Sequence, residues 1–300
     1  MLEPRRRHLT SFADITLRVL SLRIAACLLA LALPTGALVR ASGPEPVELK
    51  PEARQAFALY AKLTDARNES ELRGGYQLLW TDALPDKERA EAHAALLRGE
   101  VKIQKLQTQD GGQAIRCPGC LFHHWVAVVF VRQAKVDDVL AILEDYDHHS
   151  TFYSPDVERS TLGSRNGDHF RAFLRFRRHK IITVVLNTEH DVQYFRDSAT
   201  RVHSRSSATR IAEVENPGKA HEREKIPGND GGFLWGMETW WRMEERDGGV
   251  YVQSEVASLT RDIPTGLGWL VGPLVNGIPK ETLTFTLEAT RKAVQARLPH

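Results

Sequence analysis

An α+β fold, in which a long antiparallel meander is closed by one C-terminal helix, is what three observations in the sequence predict. First, six successive stretches, roughly 156–163, 168–178, 180–195, 199–214, 232–246 and 249–262, carry the period-two alternation or β-rich composition of half-buried strands. Second, the breaks between them have hairpin chemistry: Asn166-Gly167 and Asp247-Gly248-Gly249 favour tight turns, which makes consecutive strands antiparallel. Third, the last segment, 280–298, is a long amphipathic helix, and so wide an apolar stripe must bury against the sheet.

The elements follow in chain order. The head, 1–41, has basic residues before an apolar run at 24–33, then Pro34-Thr35-Gly36, then Val39-Arg40-Ala41 at the spacing of a cleavage site. From Ile24 to Val39 is 16 residues, broken by proline, which is short of the ~20 that a spanning helix needs. We read 1–41 as a signal peptide or N-terminal anchor, which places the protein in the periplasm or cell envelope, membrane-anchored if the signal stays uncleaved. After a Gly/Pro linker, 42–99 reads as a helical extension. Ala56, Leu59, Tyr60 and Leu63 keep helical spacing, and 86–98 is a charged helix introduced by Pro85. Texture changes at Glu100, and 100–298 reads as the main domain. It opens with a valine-rich strand at 121–131 and a short helix at 136–143, whose first turn carries Asp137 and Asp138. In the meander, Phe170, Ala172, Leu174 and Phe176 oppose a charged face. Even-numbered residues from Ile182 to Tyr194, and odd-numbered ones from Phe233 to Met243, continue the apolar side. Two loops, 216–231 and 264–279, are candidate gates.

Composition excludes one class. Six of the basic residues and two of the acids lie within 1–41, and the remainder carries a net charge of −2, so nucleic acid has no electrostatic purchase. No G-x-S-x-G, P-loop, H-E-x-x-H or Rossmann glycine pattern is present. Cys117-Pro118-Gly119-Cys120 precedes a strand rather than a helix, which argues against thioredoxin-like redox chemistry and leaves a surface turn holding a disulfide or free thiols. No second C-x-x-C or H-x-H stands ready to complete a zinc site with His123 or His124, so neither a metal nor a cofactor is expected. Asp145, Asp147, His148 and His149 read as a polar turn, and Arg171, Arg175, Arg177, Arg178 and Lys180 as a basic strip on a solvated strand face, with contact to anionic headgroups the alternative.

This order of elements, with the block Ser258-Leu259-Thr260-Arg261-Asp262-Ile263-Pro264 and then Gly268-Trp269-Leu270 and Ile278-Pro279-Lys280-Glu281-Thr282-Leu283, resembles the helix-grip superfamily. That group includes START lipid-transfer domains and polyketide cyclases, and the resemblance covers about 100–298. It implies a curved sheet of about seven antiparallel strands wrapped round the final helix, with a tunnel for a hydrophobic ligand. It does not choose between carrier and enzyme.

Candidate ligand-binding residues are His190, Arg210, Glu255, Trp235, Trp241 and Trp269. His190 falls on the apolar side of its strand. Arg210 is in step with Val202, Ser204, Ser206 and Ala208, although Ile211 argues for the opposite face, and Glu255 is placed to pair with that arginine. Trp240 and Trp241 must point to opposite faces. The expected partner is a lipid, quinone or polyketide-like molecule. Two alternatives are a cyclase or dehydratase with His190 as acid/base, and an envelope scaffold that binds a protein through 51–99.

Overall fold

The computed structural model describes residues 46–74, 78–179, 182–262 and 268–299, and of 268–276 it describes the backbone alone. The leader read as an export signal lies outside the described residues. No described helix is long and apolar enough to cross a membrane. Residues 44–300 form one unit. Its main elements are α1 (Pro51–Gly74), α2 (Asp86–Leu97), β1 (Cys120–Arg132), α3 (Val136–Leu143), β2 (Val157–Asn166), β3 (His169–His179), β4 (Thr183–Ser198), β5 (Arg201–Glu215), β6 (Gly236–Arg246), β7 (Gly249–Arg261) and α4 (Gly268–Gln295).

The seven long strands make one antiparallel sheet in the order β1-β7-β6-β5-β4-β3-β2. Short strands at Lys102–Lys105 and Arg223–Glu224 add to it beside β1 and β5. From β2 to β7 every neighbour in the sheet is the next strand in sequence, so the predicted meander is the observed one. Its turns are set locally. Asp247 and Gly248 both take positive φ, the requirement of a type I′ hairpin, and Gly167 takes φ +60° at the head of the β2–β3 turn. Bulges near Glu158 and Gly163 in β2, Asp197 in β4 and Thr209 in β5 interrupt the register and bend the sheet. The sheet and its terminal helix give the helix-grip arrangement.

The two faces are covered differently. The inner face packs α3 and α4: Ala127, Val129 and Val131 of β1, Phe170 and Ala172 of β3, Val250 and Val252 of β7 and Met243 of β6 join Leu283, Leu287 and Val294 of α4 in one core. The outer face packs the extension. Phe57 and Tyr60 of α1 meet Trp240, Phe122 and Ala257, while Leu96 of α2 and Leu79 meet Val128, Phe130 and Tyr251. The buried stripe of α1 is Ala53, Tyr60, Ala61, Thr64 and Asn68, and Leu59 of the predicted apolar set is exposed.

Two loop expectations are corrected. The helix α4 begins at Gly268 and runs through Pro273 and Pro279, so most of the loop expected at 264–279 is helical and only 264–267 lies outside the described residues. Glycine and proline punctuate most helices but do not end this one. Downstream, Thr282, Thr284, Thr286 and Thr290 each return a hydroxyl hydrogen bond to the carbonyl four residues back. The loop 216–231 is pinned, not free. Arg223–Glu224 pairs with β5, Asn229–Asp230 pairs with Val47–Glu48, and buried Glu213 takes hydrogen bonds from Gly231 N, Phe233 N and Lys225 Nζ.

Candidate functional site

The inner face has a closed end and an open end. From Leu283 onward α4 is packed on the strands, with Leu287 and Val294 at 0% exposure. Any hollow under the helix is therefore confined to the other end of the face. There Met237, Thr239 and Trp241 of β6, Ser206 and Ala208 of β5, Leu174 and Phe176 of β3, Leu186 of β4, Val256 of β7 and Trp125 of β1 stay only half-buried. Strand alternation puts all of them on one side, and most are apolar. Trp241 lies between Ser204 and Ser254 on the neighbouring strands, and both serine hydroxyls are buried without a hydrogen-bond partner.

His190 sits on this face at the edge of the open end, buried, between Ala172 and Ala208 across the strands. Its Nε2 is 2.8 Å from Thr188 Oγ1, and that hydroxyl donates to Leu174 O at 3.0 Å. Phe176 approaches the ring edge-on. Burial, with the nearby His149 acting in the same sense, pulls the imidazole down to about 4, so it is neutral near pH 7. The ring is on the apolar side of its strand, as alternation predicts.

Arg210 does not join it. Ala208 pairs with His190 and Arg210 with Glu189, so Thr209 is an extra residue, and the bulge flips the parity of everything beyond it. Ile211 therefore takes the inner side opposite Thr188, and Arg210 turns outward to an ion pair with Glu224. Glu255 is also on the outer face, beneath α1, so the expected pair of Arg210 and Glu255 does not form. Trp235 precedes β6 in an irregular stretch after Gly232 (φ +69°). It packs with Leu49, Ala53 and Leu259 and donates to Asp230 at 2.9 Å, away from the open end. Trp241 is where the alternation put it, with Trp240 on the opposite face against Tyr60. Trp269 falls in the first turn of α4, where side chains lie outside the described ones.

The sequence reading missed a polar cluster under α1. Tyr60 Oη accepts from Thr108 N at 2.8 Å and lies 2.9 Å from His124 Nδ1, while His124 Nε2 lies 2.8 Å from Glu255 Oε1. Arg67 pairs with the same carboxylate, and Arg242 reaches Asn68, Glu71 and Leu78 O. Burial alone would raise the Glu255 carboxyl, but the hydrogen bond to His124 and the charges of Arg67 and Arg242 bring it below its usual range. The only advance sign of this cluster was Glu255 alternating onto the face opposite Val252 and Val256. Its partners lie 131 and 188 residues away in sequence.

Other candidates have structural partners. Cys117 and Cys120 are bonded to each other. His123 faces inward to Thr260 and His124 outward to Glu255, so alternation alone prevents both from joining those cysteines. Among the described residues no group of three or more His, Cys, Asp or Glu is placed to hold a metal. Asp145 bonds His148, Asp147 accepts from Leu162 N, and buried His149 donates to the carbonyls of Ile142 and Leu143, as a polar turn should. In the basic strip, Arg175 and Arg177 pair with Glu158, and Arg178 pairs with Asp156. A surface cleft of about 560 Å³ beside α2 is lined by Asp82, Asp86, Arg89, His93, Arg246 and Asp247. Its charges are matched among themselves: Arg89 with Asp86, Arg246 with Asp82, His93 with Asp247.

No protein-family model matches this chain, and no curated protein matches it. Solved structures similar to it include a STAR-related lipid transfer protein (fragment 25–204) from Xanthomonas axonopodis, at 18% identity over 64% of this chain and 98% of that one, with a TM-score of 0.41. The Zhui aromatase/cyclase from Streptomyces sp. R1128 is 13% identical over 60% of this chain and 97% of its own, TM-score 0.38. A START superfamily protein from Mycobacterium smegmatis is 11% identical over 60% and 99%, TM-score 0.36.

Proposed function

We propose that this protein binds, and in that bound form carries, a hydrophobic small molecule such as a lipid, an isoprenoid quinone or a polyketide-like compound. The observation that carries the reading is the asymmetry of the inner face: one end is a sealed core, and the other leaves a contiguous apolar surface around Trp241 half-buried. A ligand that completes this burial gains roughly 25 cal/mol for each Å² of apolar surface withdrawn from water. His190 is a neutral hydrogen-bonding group at the edge of that surface, and its buried ring resists taking up a proton. Those properties suit orientation of a guest better than general-base turnover. The bonded Cys117–Cys120 turn supports, together with the leader, an exported setting with an oxidising environment.

Native mass spectrometry of the protein purified from its own envelope tests the reading. A co-purifying apolar species is expected. Ala208→Trp, which puts a large side chain across the strand from His190, should lower its occupancy roughly tenfold, with circular dichroism checking that the variant is folded. A protein that emerges empty, and that takes up no apolar dye, would sink the proposal.

A further inference from the structure

We propose that His190 reads a hydrogen-bond donor on the bound molecule, so that the site selects neutral hydrophobic alcohols or phenols over the matching ethers and carboxylates. This deepens the binding reading above and rests on it. Thr188 has one hydroxyl proton, and it goes to Leu174 O at 3.0 Å. Toward His190 Nε2, at 2.8 Å, the same oxygen has only a lone pair to offer. Nε2 must then carry the ring's proton. A neutral imidazole has one N–H, which leaves Nδ1 a bare acceptor. Nδ1 makes no hydrogen bond to any described residue; the residue as a whole is 5% exposed, and the described buried atoms without a partner include Ser204 Oγ and Ser254 Oγ but not this nitrogen, so a guest that covers it takes it from water.

The neighbours across the strands are small. Ala172 and Ala208 flank the ring on the adjoining strands, and a methyl group on either side is the smallest side chain that keeps strand geometry. An ether oxygen has no proton for Nδ1. A carboxylate would require the ring to be protonated, and burial beside His149 opposes that. A hydroxyl satisfies the acceptor without any change in charge. Among the described residues Thr188 and Phe176 face the ring, with His149 near enough to be felt, and none of these three supplies Nδ1 with a proton.

The test compares 2-naphthol, 2-methoxynaphthalene and 2-naphthoate by calorimetric titration of the full chain. Naphthol should bind about tenfold more tightly than the ether, the cost of covering one acceptor without giving it a donor. His190→Phe should erase that preference, so that naphthol and the ether bind with about equal affinity. Should that variant fail to fold, the imidazole ¹⁵N resonances of the wild type serve instead: His190 Nδ1 should move on addition of naphthol and not of the ether. Equal affinity for naphthol and ether, or a preference for naphthoate, overturns the inference while hydrophobic binding survives. If none of the three binds, this inference falls, and the binding reading is decided separately by the mass spectrometry described above.

Discussion

Glu255 is a carboxylate at 2% exposure whose only reason to stay ionised is its company. His124 is within 2.8 Å of it, and Arg67 and Asn68 reach the same oxygen. Replacing it with leucine would keep the volume but leave the His124 Nε2–H without an acceptor and Arg67 without its closest carboxylate. We expect Glu255→Leu to cost about 2–3 kcal/mol, read as a shift of the urea midpoint, with Glu255→Gln milder. An unshifted midpoint would mean the cluster adds nothing net. At this scale the sequence was partly legible. His190 and Trp241 fell where alternation put them, because nothing interrupts the parity of β4 around His190 or of β6. Arg210 did not, because one inserted residue, Thr209, reverses the parity of β5, and a bulge carries no reliable sequence mark. The conflict between Arg210 and Ile211 was its trace.

Elements were easier to read than contacts. The strands showed because one side of each is apolar, and α3 matched its predicted limits, 136–143, because a short apolar helix bounded by acids has few alternatives. The extension was read as an appendage with its own helices. What sequence could not show is that α1 lies on the sheet, since two of the five residues in its buried stripe, Thr64 and Asn68, are polar and so resemble a solvated face. The fit is close at one point: a Cβ added to Gly236 of β6 would lie 2.6 Å from the Phe57 ring. Gly236→Val should therefore lift the first half of α1 from the sheet, by an overpacking cost of about 1–3 kcal/mol. Hydrogen exchange should then show α1 losing protection while β3 and β4 keep theirs. Unchanged exchange in α1 would show that Phe57 simply rotates away.

Across the whole molecule the buried histidines couple folding to acidity. His123, His149 and His190 are all brought down to about 4, in each case chiefly by burial. Lys105 adds to the effect at His123 and His149 adds to it at His190, whereas the carbonyls of Ile142 and Leu143 partly offset it at His149. Each ring binds a proton near its ordinary value once the chain unfolds, but the folded protein refuses it until about pH 4. The unfolded state thus holds more protons between pH 6.5 and 4, and stability falls as pH drops through that window. The loss approaches roughly 3 kcal/mol per ring below the folded value and is absent above pH 7. The lowered carboxyl of Glu255 adds a loss at still lower pH, and the raised carboxyls of Glu144, Asp230 and Glu238 work in the opposite sense. Three rings against three partly exposed or hydrogen-bonded carboxyls leaves acid destabilising. Urea midpoints should hold from pH 8 to 7 and fall steadily to pH 4.5. In His149→Gln, whose amide can still donate to Leu143 O, the fall should be shallower by about a third. A midpoint independent of pH across that range would show that these rings reach solvent and titrate as they do in the open chain.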